Sequence, residues 1–223
     1  MTATTLFVTG TDTGVGKTRI SVALLQGLRA AGHRAVGYKP IASGCERSGD
    51  GLRNDDALAL QAASTPGWGY DAINPYAFAP PIAPHIAAAD AGVVVDPAVL
   101  DAGHAQLAAN SDWVIVEGAG GWHVPLSSTL DFADWVSAAR WPVLLVVGMR
   151  LGCVNHAILS ARAIAAGTTL AGWIANTLPP LQPRIEANIE CLEQRIAAPL
   201  RARVPIDPPA ELGLNPEPWI VRR

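Results

Sequence analysis

Glycine, lysine and threonine at close spacing give the sharpest chemical signal in the chain, in Gly10-Thr11-Asp12-Thr13-Gly14-Val15-Gly16-Lys17-Thr18. Glycines let backbone N–H groups close around phosphate oxygens without a Cβ clash. A lysine directly after them reaches terminal phosphates, and a threonine hydroxyl beside it suits a magnesium ion. The apolar run Leu6 to Val8 precedes this turn and a helical stretch follows it, the context a phosphate loop requires. One feature departs from the usual pattern: five residues, not four, separate Gly10 from Gly16.

Acidic and basic candidates lie further along. Glu117 ends an apolar run and is followed by Gly118-Ala119-Gly120-Gly121, so it can complete a magnesium site beside phosphates that approach the backbone closely. Asp56, in Arg53-Asn54-Asp55-Asp56, has two readings: a second metal carboxylate, or one of an acidic pair suited to a helix N-terminus. Lys39 lies in Tyr38-Lys39-Pro40-Ile41-Ala42-Ser43-Gly44, a loop shaped by Pro40 and the Ser43-Gly44 pair, where it meets phosphate or substrate or stays solvated. Gly152-Cys153-Val154-Asn155 opens a helix whose free N–H groups suit a carboxylate, although Asn155 as a simple cap explains the same residues. Trp122 and Trp135 read as packing residues, and His85 as packing within its loop. The remaining histidines, at 33, 104, 123 and 156, have no paired ligand spacing, so no transition metal is assigned. No Ser/His/Asp or Cys/His triad can be assembled, and Cys153 has no assignable histidine partner.

The elements that must position these residues alternate. Strands are predicted at Leu6–Val8, Ala35–Tyr38, Trp113–Val116, Val143–Val147 and Leu170–Ala175. Helices are predicted at about 20–31, Asp55–Ala63, Pro97–Asn110 with Asp96 as cap, Asn155–Ala166 and about 184–197, ahead of a Pro-rich tail. Residues 64–84, rich in Pro, Gly and aromatics, read as an ordered surface excursion. This order predicts a single α/β domain over residues 1–223, a doubly wound, mostly parallel sheet of the P-loop NTPase kind. Ligands bind outside the carboxyl ends of such strands, where residues 10–18, 39–43, 117–121, 148–155 and 176–177 fall.

Composition narrows the class. Half of the 223 residues are hydrophobic, yet no apolar run approaches the roughly 20 residues a membrane span needs. The opening Met1-Thr2-Ala3-Thr4-Thr5 has no basic region, so a signal peptide is not expected. Three widely spaced cysteines read as reduced thiols, and a net charge of −3 argues against nucleic acid as a partner. A cytoplasmic protein is expected.

Read together, these blocks resemble the dethiobiotin synthetase family. The resemblance rests on residues 10–18, Gly-Tyr-Lys-Pro-Ile-Ala-Ser-Gly (37–44), Gly-Leu-Arg-Asn-Asp-Asp-Ala (51–57), Asn-Pro-Tyr (74–76) and Ala-Pro-His-Ile (83–86). It continues through Val-Glu-Gly-Ala-Gly-Gly-Trp (116–122), Gly-Cys-Val-Asn-His (152–156) and Ala-Gly-Trp-Ile-Ala-Asn (171–176). The long Gly10–Gly16 spacing is typical of that family. The resemblance implies a homodimeric, magnesium- and ATP-dependent ligase. Such an enzyme adds carbon dioxide to 7,8-diaminopelargonic acid (7,8-diaminononanoate), phosphorylates the carbamate and closes a ureido ring.

It implies further that Thr18, Asp56 and Glu117 hold Mg²⁺, and that Lys17 and Lys39 are catalytic. Thr13, Gly14, Val15, Gly16, Lys17, Thr18 and Arg19 would line the ATP phosphates together with Glu117, Gly118, Ala119 and Gly120. Asn176 and Thr177, with Pro205, Ile206 and Asp207, would meet the adenine. Ser43 would touch the diamine or carbamate end. Gly152, Cys153, Val154 and Asn155 would receive the substrate carboxylate across the dimer interface. An amide ligase of the same fold fits the motifs less well. A partition-type ATPase carries a lysine where this chain has Asp12.

Overall fold

The computed structural model describes residues 3–207 and 212–220. Strand β1 (Thr4–Gly10) feeds the glycine turn and helix α1 (Lys17–Ala30). Next come β2 (Ala35–Tyr38), β3 (Ile41–Ser43) and a small antiparallel hairpin, β4 (Glu46–Ser48) with β5 (Gly51–Arg53), before α2 (Asp55–Ala63). The Pro- and aromatic-rich excursion holds α3 (Tyr70–Ile73), β6 (Tyr76–Phe78), which pairs with β3, and the start of α4 (Pro84–Asp90). After α5 (Pro97–Ala109) come β7 (Trp113–Glu117), α6 (Phe132–Ala139), β8 (Val143–Met149) and α7 (Cys153–Gly167). Then β9 (Leu170–Thr177), α8 (Ile185–Arg195) and β10 (Leu200–Val204) complete the alternation.

Six strands form the main sheet in the order β10-β9-β8-β1-β7-β2, with every pairing parallel. β7 and β8 are buried at every position, as strands covered on both faces must be. Their continuous apolar runs follow from that placement. The large side chains Phe7, Trp113, Phe132 and Trp173 belong to one contiguous core. Because all six strands point the same way, their carboxyl ends share one rim, and the loops after β1, β2, β7, β8 and β9 meet there.

Three elements correct the sequence reading. β10 is a sixth strand where a Pro-rich tail was expected; Leu200-Arg201-Ala202-Arg203-Val204 alternates as an edge strand does, but prolines nearby masked it. α6 was passed over although Asp131 and Asp134 form a reciprocal capping box at its start. Helix α7 begins at Cys153, with Gly152 as its cap in the left-handed region at φ 93°, so Asn155 lies inside the first turn and is not the cap. Glycine suits that backbone conformation, which a side chain would strain.

Residues 212–220 fold back over α1. Leu214 is buried, and its carbonyl oxygen lies so close to Gly27 that any Cβ at position 27 would overlap it. His33 approaches Glu217 at 3.4 Å, and the Arg201 guanidinium sits 5.5 Å from the centroid of the Trp219 ring. Among the described residues no helix is long and apolar enough to cross a membrane.

Candidate active site

At the rim, two lysines and two carboxylates from four elements face one another. Lys39, just after β2, is 3% exposed, and Glu117, the last residue of β7, is fully buried. The Lys39 ammonium donates to Glu117 Oε1 at 2.7 Å, to Asp56 Oδ2 at 3.0 Å and to the Gly118 carbonyl at 3.4 Å. Thr18 Oγ1, on the first turn of α1, donates to the same Glu117 Oε1 at 2.9 Å. Asp56 stands in the first turn of α2, whose cap is Asn54, as the helix-terminus reading expected, and it also turns its carboxylate to Lys39. Burial alone would pull the Lys39 pKa down, but Glu117 and Asp56 outweigh it and hold the ammonium above its ordinary value. Burial would likewise raise Asp56, yet the Lys39 charge wins and keeps its carboxyl below the usual range.

Lys17 closes the glycine turn. Its ammonium donates to the Gly120 carbonyl at 2.7 Å and the Asp12 carbonyl at 3.1 Å. Burial, and after it the like charge of Lys39, lowers its pKa to about 8. Asp12, unremarked by sequence reasoning except as the acidic residue where a partition ATPase has lysine, organises this turn. One carboxylate oxygen accepts from the Thr13 N–H at 2.7 Å, and the other pairs with Arg150 of the β8–α7 loop. Arg150 was missed because nothing in its local sequence marks it. It reaches Asp12 only through the proximity of β8 to β1.

A cleft of about 820 Å³ opens over these groups. Thr13, Gly14, Gly16, Lys17, Thr18, Lys39, Ser43, Asp56, Ala119 and Gly120 reach it, whereas Val15, Arg19, Glu117 and Gly118 do not line it, and of the expected substrate residues Ser43 alone does. Its opposite flank is apolar, with Pro81, Ile82, Ala83, Pro84, Val124 and Pro125. Val15 faces the core, and only its backbone serves the loop: its carbonyl accepts from Asn176 Nδ2 at 2.8 Å.

Glu117 Oε2 is buried without a hydrogen-bond partner among the described residues. That orphaned oxygen, with Asp56 and the Thr18 hydroxyl nearby, is the hard donor set a magnesium ion takes. The described residues contain no group of three or more His, Cys, Asp or Glu able to hold a metal. A magnesium ion here would therefore need water or phosphate oxygens to complete its shell.

A family model described as an AAA domain matches residues 4–211. An ATP-dependent dethiobiotin synthetase of Xanthomonas oryzae pv. oryzae is 57% identical over 206 residues, 92% of each chain. One from Salmonella typhi is 56% identical over 211 residues, covering 94% of this chain and 90% of the relative. Another from Xylella fastidiosa is 54% identical over 217 residues, 97% of this chain and 95% of the relative.

The chain belongs to the dethiobiotin synthetase family.

Solved structures carry the same fold at greater distance. The septum site-determining protein MinD of Pyrococcus horikoshii, complexed with Mg-ADP, superposes with a TM-score of 0.57 at 18% identity, covering 93% of this chain and 82% of that one. A ParA family ATPase of Chlorobium tepidum gives 0.54 at 17% identity, covering 92% and 85%. These likenesses concern fold alone.

The remaining residues expected of a dethiobiotin synthetase stand around the charged centre. Asn176 is buried under the glycine turn with its Oδ1 unpartnered among the described residues, and its neighbour across the sheet is Val204, the last residue of β10. Pro205, Ile206 and Asp207 therefore leave the sheet beside Asn176, and Arg19 donates to the Ile206 carbonyl at 3.4 Å. Thr177 ends β9 opposite Met149. Gly152, Cys153, Val154 and Asn155 lie on the same rim but outside the cleft lining, joined to the glycine turn through Arg150.

Proposed function

We propose that this chain, as a dethiobiotin synthetase, closes the ureido ring of dethiobiotin from 7,8-diaminononanoate, carbon dioxide and ATP. The observation that carries the reading is the convergence of Lys17, Lys39, Thr18 and Asp56 on one cleft that also has an apolar flank, with the buried Glu117 bonded to Lys39 and Thr18. One amine of the diamine adds to carbon dioxide and loses a proton, giving a carbamate. A carbamate oxygen attacks the γ-phosphorus of ATP and ADP leaves. The second amine then attacks the carbamoyl carbon, phosphate departs with the carbamate oxygen, and the ring closes.

Each group has a physical task. Backbone N–H groups of the glycine turn and the start of α1 bind the phosphate oxygens. Lys17 meets the transferring phosphoryl group, and Lys39 neutralises the carbamate and the developing negative charge. Ser43 orients the diamine end, while the apolar flank formed by Pro81, Ile82 and Val124 takes the hydrocarbon chain and keeps water from the mixed anhydride. Thr18, Asp56 and Glu117 would hold Mg²⁺, which would supply charge neutralisation on the β- and γ-phosphate oxygens. Asn176 and residues 205–207 read the base, the orphaned Asn176 Oδ1 accepting from an amino group.

The start of α7 receives the substrate carboxylate of a second subunit, which makes the working enzyme a homodimer. As a biosynthetic enzyme it acts in the cytoplasm, without nucleic acid or membrane. Carbon-13 bicarbonate, given with Mg-ATP and the diamine, should leave its label in a cyclic urea seen by mass spectrometry. An unlabelled product, or none, would contradict the reaction.

A further inference from the structure

Both carboxylates that would hold magnesium already pair with a cation of the protein itself. Lys39 Nζ bonds Glu117 Oε1 and Asp56 Oδ2. The third candidate, the Thr18 hydroxyl, donates its proton to the same Glu117 Oε1 and keeps its lone pairs for a metal. Glu117 Oε2 is buried without a partner among the described residues. We propose that Lys39 is a place-holder for the divalent cation, keeping the metal out of the nucleotide-free enzyme and being released toward the transferring group only when metal arrives with the nucleotide. The inference rests on the magnesium reading above and adds an order to it.

Charge balance gives the reason. Lys39 and Lys17 face Glu117 and Asp56, two positive groups against two negative ones, with all but Asp56 buried. A dication entering alone would leave that set with two uncompensated positive charges. Entering with a triphosphate, it brings more than enough negative charge. Its shell points the same way, since the protein offers few ligands and nucleotide phosphates can supply more. The exchange also gives Lys39 two states. Clamped between two carboxylates, its ammonium is spent on them. Once the metal takes those oxygens, the ammonium is free to meet carbamate and γ-phosphate.

Manganese binding, followed by electron paramagnetic resonance, tests this on the intact protein. Nucleotide-free wild type should bind Mn²⁺ weakly, whereas Lys39→Met, with its place-holder gone, should bind one ion at least about tenfold more tightly. Adding Glu117→Gln to Lys39→Met should remove that gain. Equal binding by wild type and Lys39→Met would overturn the proposal. If Glu117→Gln leaves Mn²⁺ binding in the wild-type complex with a non-hydrolysable ATP analogue unchanged, the magnesium reading itself fails, and the place-holder with it.

A second measurement does not depend on the folding of a variant. In wild type with nitrogen-15 lysine, the Lys39 ammonium resonance should move with the Mg²⁺-loaded analogue and stay in place with the metal-free analogue. Equal responses would contradict the exchange.

Discussion

The phosphate side of the cleft and the flank running from β10 to residue 220 are held together differently. On the phosphate side, Thr18, Lys39, Asp56 and Glu117 hold one another by side-chain bonds, and the buried Lys17 ammonium donates to the Asp12 and Gly120 carbonyls. On the flank, cohesion comes from shape and from exposed ion pairs: the Leu214 carbonyl against Gly27, Arg201 over Trp219, and Arg203 reaching Glu186 and Glu193. Buried charged networks fail sharply when one member is lost, whereas exposed pairs are each worth about 1 kcal/mol or less. The two regions should therefore respond to substitution in different ways, one losing chemistry and the other losing docking.

The largest effect is expected at the lysines. Lys17→Ala or Lys39→Ala should lower turnover by roughly a hundredfold or more while circular dichroism stays near wild type. Near-normal rates in either variant would remove that lysine from the chemistry. Glu117→Gln comes next: the Mg²⁺ concentration at half-maximal rate should rise about tenfold, with a smaller change in the KM for the diamine. An unmoved magnesium titration would break the contrast on the phosphate side.

On the flank, Gly27→Ala inverts a general rule. In an exposed helix interior that change stabilises by about 1 kcal/mol, but here the new methyl meets the Leu214 carbonyl. Thermal unfolding should show a loss on the order of 1–3 kcal/mol, and proteolysis should release the C-terminal segment first. A raised melting temperature would mean that residues 212–220 do not dock as described.

A pH profile sharpens the comparison. Burial and Lys39 bring Lys17 to about 8. ATP binding to the free enzyme should weaken as pH rises through about 8, because a neutral Lys17 offers phosphate no charge. Stability moves the other way. Above about 8 the folded state has given up a proton that the unfolded chain keeps up to the ordinary lysine range, so on this account stability increases with pH across that window. Flat ATP affinity through that window would contradict the assignment. The smallest effect is expected for Arg150→Gln, which breaks the exposed pair with Asp12. The KM for ATP should rise by only a few-fold, within about 1 kcal/mol. A loss as large as that of Lys17→Ala would mean that the pair belongs to the catalytic network.

The same contrast governs how much could be read from the sequence. The glycine turn, Lys17, Thr18 and Glu117 were readable because their chemistry is local: a strand end, a turn and a helix start contiguous in the chain. The parallel sheet was readable for a similar reason, since continuous apolar runs such as Val143–Val147 need cover on both faces. Asp56 and Lys39 each kept two readings from the residues alone and took their roles from the family resemblance, because their bond spans elements that meet only in three dimensions. Arg150, the apolar flank at Pro81 and Val124, and the Gly27–Leu214 contact left no local pattern. Each depends on which loop a strand order brings alongside another. β10 escaped because its alternating Leu, Arg and Ala residues lie among prolines and cover only one sheet edge.

The most direct test of the account is ADP release by the purified protein in Mg-ATP and bicarbonate, with and without 7,8-diaminononanoate. The account predicts release that requires the diamine, matches the cyclic urea formed one for one, and disappears in Lys39→Ala. ADP release that ignores the diamine, or that survives in Lys39→Ala, would contradict it.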